Sequence, residues 1–126
     1  MSTGSRFKDR MPVTAAAART AGVPVIEDGL HGFPVVDAGT GEEYALDIES
    51  KVRDIALIAS SAVGDIVDMN VTTFALTRRA RSAAAPVGTR PVAQVVRLAG
   101  NAGTNSPTTG RMWVLWYPQT PAPTTT

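Results

Sequence analysis

Between Val23 and Pro118 the chain runs as short apolar strands separated by Gly, Asn and Thr turns, with no alternation of strand and helix. Residues 23–26, the turn Glu27-Asp28-Gly29 and residues 32–36 read as a hairpin. After the break at Gly39-Thr40-Gly41, Tyr44, Leu46 and Ile48 alternate with Ala45, Asp47 and Glu49, the period of a strand with one buried and one wet face. In residues 52–59, Ile55, Leu57 and Ile58 also fit a helical face, but the β-branched content and the Ser60-Ser61 break favour strand. The turn Val63-Gly64-Asp65 feeds a strand at 66–70, and Val71-Thr72-Thr73 feeds a short one at 74–77. Residues 78–86 lack strand periodicity and read as an exposed basic loop; residues 92–98 resume the alternation. Residues 101–110 read as a long loop, and residues 112–117, apolar on both faces, as a central strand or one packed on a neighbouring subunit. About eight short strands at regular spacing predict an all-β fold: a small β-sandwich or partly closed β-barrel of short antiparallel strands with an extended N-terminal arm.

The ends have a different composition. Residues 1–12 are polar and basic, with Phe7 and Met11 as apolar anchors, and read as a flexible basic arm that needs a partner to order. Residues 13–21 favour helix by propensity over about two turns, too short to stand without tertiary support, so a short helix and an extended lead-in both fit. A β-rich domain is expected over 13–119 and a disordered Pro/Thr tail over 120–126. The 126 residues suit one domain, able to bury roughly two-thirds of its unfolded surface. With no Cys there is no disulfide framework, thiol nucleophile or thiolate metal site. No apolar run reaches the roughly 20 residues of a membrane span, so a soluble protein made in a cytoplasm is expected, with no membrane partner.

A net charge of +1 hides a segregation along the chain. Residues 1–26 carry four bases against Asp9, residues 27–68 carry ten acids against Lys51 and Arg53, and residues 69–126 carry six arginines and no acid. Such asymmetry either pairs strands within one fold or sets an acidic face of one subunit against a basic face of the next.

Little in the chain signals catalysis. His31, the only histidine, falls in the expected turn with no nucleophile signature beside it, so no catalytic residue is assigned. Asp47 with Glu49, and Asp65 with Asp68, raise paired-carboxylate hydrolysis or calcium binding. Few aromatics and no Asp-x-Asp-x-Asp loop accompany them, and solvated acids explain them better. Gly39-x-Gly41 lacks the Lys of a phosphate loop and is followed by Glu42 and Glu43; Asn70-Val71-Thr72 reads as turn chemistry. No cofactor or metal is expected. Arg78, Arg79 and Arg81 are the nucleic-acid candidates, but without interleaved aromatics they fit a subunit interface better, and nucleic acid is not expected as a partner. Trp113 and Trp116 fall on opposite faces of their strand, one face for the core and one for an interface.

The order of motifs resembles the capsid cement, or head decoration, proteins of tailed bacteriophages. The matching elements begin with Ala21-Gly22-Val23-Pro24-Val25, Gly29-Leu30-His31-Gly32-Phe33-Pro34-Val35 and the acidic strand to Ile48. They continue with Val63-Gly64-Asp65-Ile66-Val67, the segment Thr72-Thr73-Phe74-Ala75-Leu76-Thr77, Val87-Gly88 leading into 91–96, and a closing strand at 112–115. Each is a Gly turn feeding a strand; order and spacing across residues 21–119 carry the likeness. The resemblance implies a homotrimer on the outer surface of the mature capsid, bridging major capsid protein subunits and stabilising the expanded shell. It transfers no active-site residues. The basic arm and the Pro/Thr tail depart from the pattern. On this reading Arg6, Phe7, Lys8, Arg10 and Met11 form a capsid-binding arm, and Arg78, Arg79, Arg81, Trp113 and Trp116 form the subunit interface. A small carbohydrate- or cell-surface-binding β module displayed on a virion is the alternative.

Overall fold

The computed structural model describes residues 9–99 and 111–119. It defines nine strands: β1 (Arg10–Thr14), β2 (Val25–Glu27), β3 (Leu30–Pro34), β4 (Glu43–Asp47), β5 (Val52–Ala56), β6 (Ile66–Asn70), β7 (Leu76–Arg79), β8 (Thr89–Ala99) and β9 (Arg111–Trp116). They form two open antiparallel sheets, ordered β1-β4-β3-β2 and β5-β9-β8-β6-β7. The all-β expectation holds in its two-sheet form, the strand inventory of a small β-sandwich, and neither sheet closes into a barrel. The chain divides into two compact units, Met1–Glu49 with Pro118–Thr126, and Ser50–Tyr117. The loop expected at 101–110 and the tail at 120–126 lie outside the described residues.

The first unit holds the four-stranded sheet. Its β2–β3 hairpin turns at Asp28-Gly29, whose φ angles of 53° and 82° put both residues in the left-handed region, the requirement of a two-residue turn with matching twist. The alternation along β4 is realised: Tyr44 and Leu46 are buried and Ala45 and Asp47 half-buried. Residues 10–14 are not part of an arm. They form β1 on the edge of the sheet, with Met11 opposite Leu46 and Val13 opposite Tyr44. Two anchors that the arm reading did not count, Val13 and Ala15, are buried and hold this segment down. Hydrogen bonds from Ala15 N–H to Glu42 and from Ile48 N–H to Asp9 (both 2.8 Å) turn the odd-numbered residues toward β4. Pro12 therefore takes an outward position where the ladder needs no N–H, the place a strand edge tolerates proline. Residues 15–21 form no helix: they bend at Ala16 and Ala17, and Arg19 bridges Ala38 through paired backbone hydrogen bonds of 2.8 and 3.1 Å.

The second unit holds the five-stranded sheet, with β9, β8 and β6 flanked on both sides. One face of the sheet packs Met112, Val114 and Trp116 of β9 with Val95 of β8 and Val67 and Met69 of β6, all essentially inaccessible. Pro91, in an interior strand, sits where the β6–β8 register shifts between Val67 and Asp68; the bulge removes the need for its missing donor. The strand expected at 74–77 begins two residues later. Asn70 Oδ1 accepts the N–H groups of Thr72 (2.8 Å) and Thr73 (2.9 Å), and Phe74 takes φ of 65°, so the turn extends through Ala75. Arg78 and Arg79 consequently lie on β7, opposite Val67 and Ile66, and are not loop residues.

Candidate functional site

The buried polar chemistry of the first unit converges on Glu27. Alternation along β2 places it on the same face as Val25, and only 3% of it is exposed. Arg19 grips it twice, Nε to Oε1 at 2.7 Å and Nη2 to Oε2 at 3.1 Å. The Tyr44 hydroxyl donates to Oε1 at 2.8 Å and the Ala16 N–H to Oε2 at 3.2 Å. Burial works to raise the carboxyl pKa, but the hydrogen bonds from Arg19, Tyr44 and Ala16 outweigh it and hold the group below its ordinary value. Burial, then the bond to Glu27, pushes the Tyr44 phenol up. Both carboxylate oxygens accept two hydrogen bonds, so the cluster ties the 15–19 segment to β2 and β4. The sequence places Glu27 in the turn with Asp28 and Gly29; in the structure it is the last residue of β2, and the turn is Asp28-Gly29 alone.

The carboxylates singled out in the sequence serve similar ends. Asp47 accepts the Glu49 N–H at 3.1 Å. Asp65 accepts the Ala62 N–H at 2.9 Å and faces Arg78 Nη1 at 3.4 Å. Asp68, fully buried, meets Arg79 Nε at 2.7 Å, and Arg79 also donates to the Ala83 carbonyl. At the surface Arg111 reaches Asp54 Oδ1 (3.0 Å) and its carbonyl (3.1 Å). The acidic middle and the arginine-rich final third thus pair within the fold in these three places. Exposed Arg111–Asp54 contributes at most about 1 kcal/mol, whereas the Asp68 charge depends on its partner. Among the described residues no group of three or more His, Asp and Glu side chains gathers to hold a metal ion, and no helix is long and apolar enough to cross a membrane.

His31 sits on β3, fully buried, and not in a turn. Its backbone N–H donates to Gln119 Oε1 at 2.8 Å and its carbonyl accepts from Gln119 Nε2 at 2.7 Å, so the side chain of Gln119 pairs with this residue like a strand.

The residues assigned to surfaces separate clearly. Arg6, Phe7 and Lys8 lie outside the described residues. Arg10 and Met11 border an open cleft of about 380 Å³ together with Pro12, Glu43, Tyr44 and Ala45. Trp116 is wholly buried and belongs to the core, which removes it from any subunit interface; Arg78 and Arg79 are held by Asp65 and Asp68. Arg81 is exposed in the turn after β7. Trp113 stands on the opposite face of β9 from Trp116, 38% exposed, with the Arg97 guanidinium 5.1 Å from its ring centre. Leu115 and Val52, opposite each other on β9 and β5, extend this exposed face. A second apolar surface lies on the loops, where the Val71 N–H bonds the Gly88 carbonyl at 3.0 Å and brings exposed Val71 beside Val87.

Comparison with protein-family models, with curated proteins and with solved structures finds no match to this chain.

Proposed function

We propose that the protein is a structural virion component that binds the outside of the mature head of a tailed bacteriophage, bridges major capsid protein subunits and stabilises the expanded shell, acting as a homotrimer. The observation that carries this reading is where the chain keeps its apolar side chains. Ten large ones are exposed among the described residues, while the carboxylates of Glu27, Asp65 and Asp68 are engaged in holding the fold. Of these, Trp113 and Leu115 on β9 and Val52 on β5 adjoin on one exposed face, and a contiguous apolar patch is suited to being covered by a partner. The order of strand and turn motifs described above gives the same direction. The loop tip at Val71 and Val87 is the docking element on this reading, replacing the arm residues Arg10 and Met11, which the first sheet retains. Binding only the expanded shell stabilises it by mass action, about 2.7 kcal/mol per site at a free concentration 100 times the dissociation constant.

The test is co-sedimentation with expanded and unexpanded shells lacking the protein. Saturable binding to expanded shells alone, lost when Val71→Asp and Val87→Asp are combined, is the expected result; binding to neither shell rejects the proposal. Partly exposed Trp113 favours one other reading, a carbohydrate- or cell-surface-binding module on a virion, and glycan-array binding sensitive to Trp113→Ala would establish that instead.

A further inference from the structure

The two compact units carry opposite charge. The first has eight acids and four bases, a net of −4; the second has three acids and eight bases, a net of +5. Among their exposed apolar features, one on each unit is flanked by charges of both signs.

On the second unit the register places Asp54, Trp113 and Arg97 in one row across β5, β9 and β8, all exposed and on the face opposite the core. The row reads acid, indole, base. On the first unit the cross-strand partners Pro12 and Ala45 lie at the middle of the cleft, between Arg10, which has Asp47 as its own partner, and Glu43. The cleft reads base, apolar centre, acid, with Asp47 beside the base. Strand spacings put the Cα atoms of Asp54 and Arg97 about 10 Å apart, and those of Arg10 and Glu43 about 14 Å apart across the β1–β4 diagonal. Arginine side chains span the difference, and a cleft of about 380 Å³ has room for an indole.

We propose that the Trp113 row of one copy of this chain docks into the Arg10–Glu43 cleft of a second copy. Asp54 then faces Arg10, Arg97 faces Glu43, and Trp113 fills the apolar centre between them. The contact uses two different patches, so it is heterologous: it propagates head to tail and terminates by closing into a ring. The groups involved are available for it. Asp54 and Arg111 form an exposed pair that can exchange partners at little cost, and the exposed Arg97 guanidinium lies 5.1 Å from the centre of the ring that would enter the cleft. The long-range attraction of a −4 unit for a +5 unit orients the encounter. This deepens the homo-oligomeric part of the proposed function, and it is tested without shells, so failure of self-association and failure of shell binding are read separately.

The experiment is sedimentation equilibrium of the full chain from low to high salt, with Trp113→Ala, Arg97→Glu, Glu43→Arg and the Arg97→Glu/Glu43→Arg double variant. The wild type is expected to associate, more weakly at high salt. Trp113→Ala and each single charge reversal should weaken association tenfold or more, and the double reversal should recover most of it. Circular dichroism controls for folding; all these positions are exposed. A monomeric wild type at hundred-micromolar concentration overturns the proposal, as does a double reversal no stronger than either single one.

Discussion

Glu27 shows how one buried charge is kept without being used. Its carboxylate receives four hydrogen bonds from three residues, and Arg19, largely buried, supplies the compensating charge. Removing one member of such a pair is costlier than replacing both, because the survivor's charge stays buried. Glu27→Gln should therefore cost about 3–5 kcal/mol at neutral pH, measured by chemical denaturation. The pH dependence has a definite sign. A carboxyl whose pKa is lower folded than unfolded stabilises fully above its ordinary value near 4.5, and the contribution fades as pH falls through the depressed folded value. The gap between wild type and Glu27→Gln should thus be constant above about pH 5 and shrink steadily below pH 4. A gap that widens in acid would mean that Glu27 is protonated in the native state and that the bonding pattern described here is wrong.

At the scale of elements, two glycines of the same hairpin separate backbone strain from crowding. Gly29 has φ of 82° with open space where a Cβ would be, so Gly29→Ala suffers only the left-handed penalty, about 1 kcal/mol. Gly32 lies in β3 against β4, where an added Cβ would stand 2.6 Å from the Asp47 carbonyl oxygen and 2.9 Å from Leu46 Cγ. Backbone cannot move aside as a side chain can, so Gly32→Ala should cost about 3 kcal/mol and disturb the β3–β4 pairing. Thermal denaturation of the two variants checks the order, and equal losses would contradict the register at Phe33–Asp47 and Pro34–Leu46. The hairpin itself was legible in sequence, because Asp-Gly between apolar runs specifies its turn locally, and so was β4, whose alternation is a local period. β1 and β7 were not. The pull on Arg10–Thr14 comes from Tyr44 and Leu46 some thirty residues on, and Arg78 and Arg79 look like loop cations until Asp65 and Asp68 are placed beside them. The same reason hid the cleft: its two sides, residues 10–12 and 43–45, come together only through the β1–β4 pairing.

For the whole molecule, a net charge of +1 and a pI of about 8.2 describe poorly what an approaching partner meets. Ion pairing inside the second unit leaves it five bases in excess, and the acids of the first unit outnumber its bases by four. Fields of opposite sign from separate regions do not cancel at a surface that touches only one of them, since salt screens beyond about 10 Å at 0.1 M. A protein of evenly mixed charge passes both cation and anion exchangers near its pI. This one should be retained by both at pH 8 in low salt, through the second and the first unit respectively, and released from each as ionic strength approaches about 0.2 M, where the Debye length falls to side-chain dimensions. Glu43→Arg should weaken retention on the anion exchanger with little effect on the cation exchanger, and Arg97→Glu should do the reverse. Passage through both columns would mean that the unit charges neutralise each other within a single copy, and would remove the electrostatic orientation on which head-to-tail docking depends.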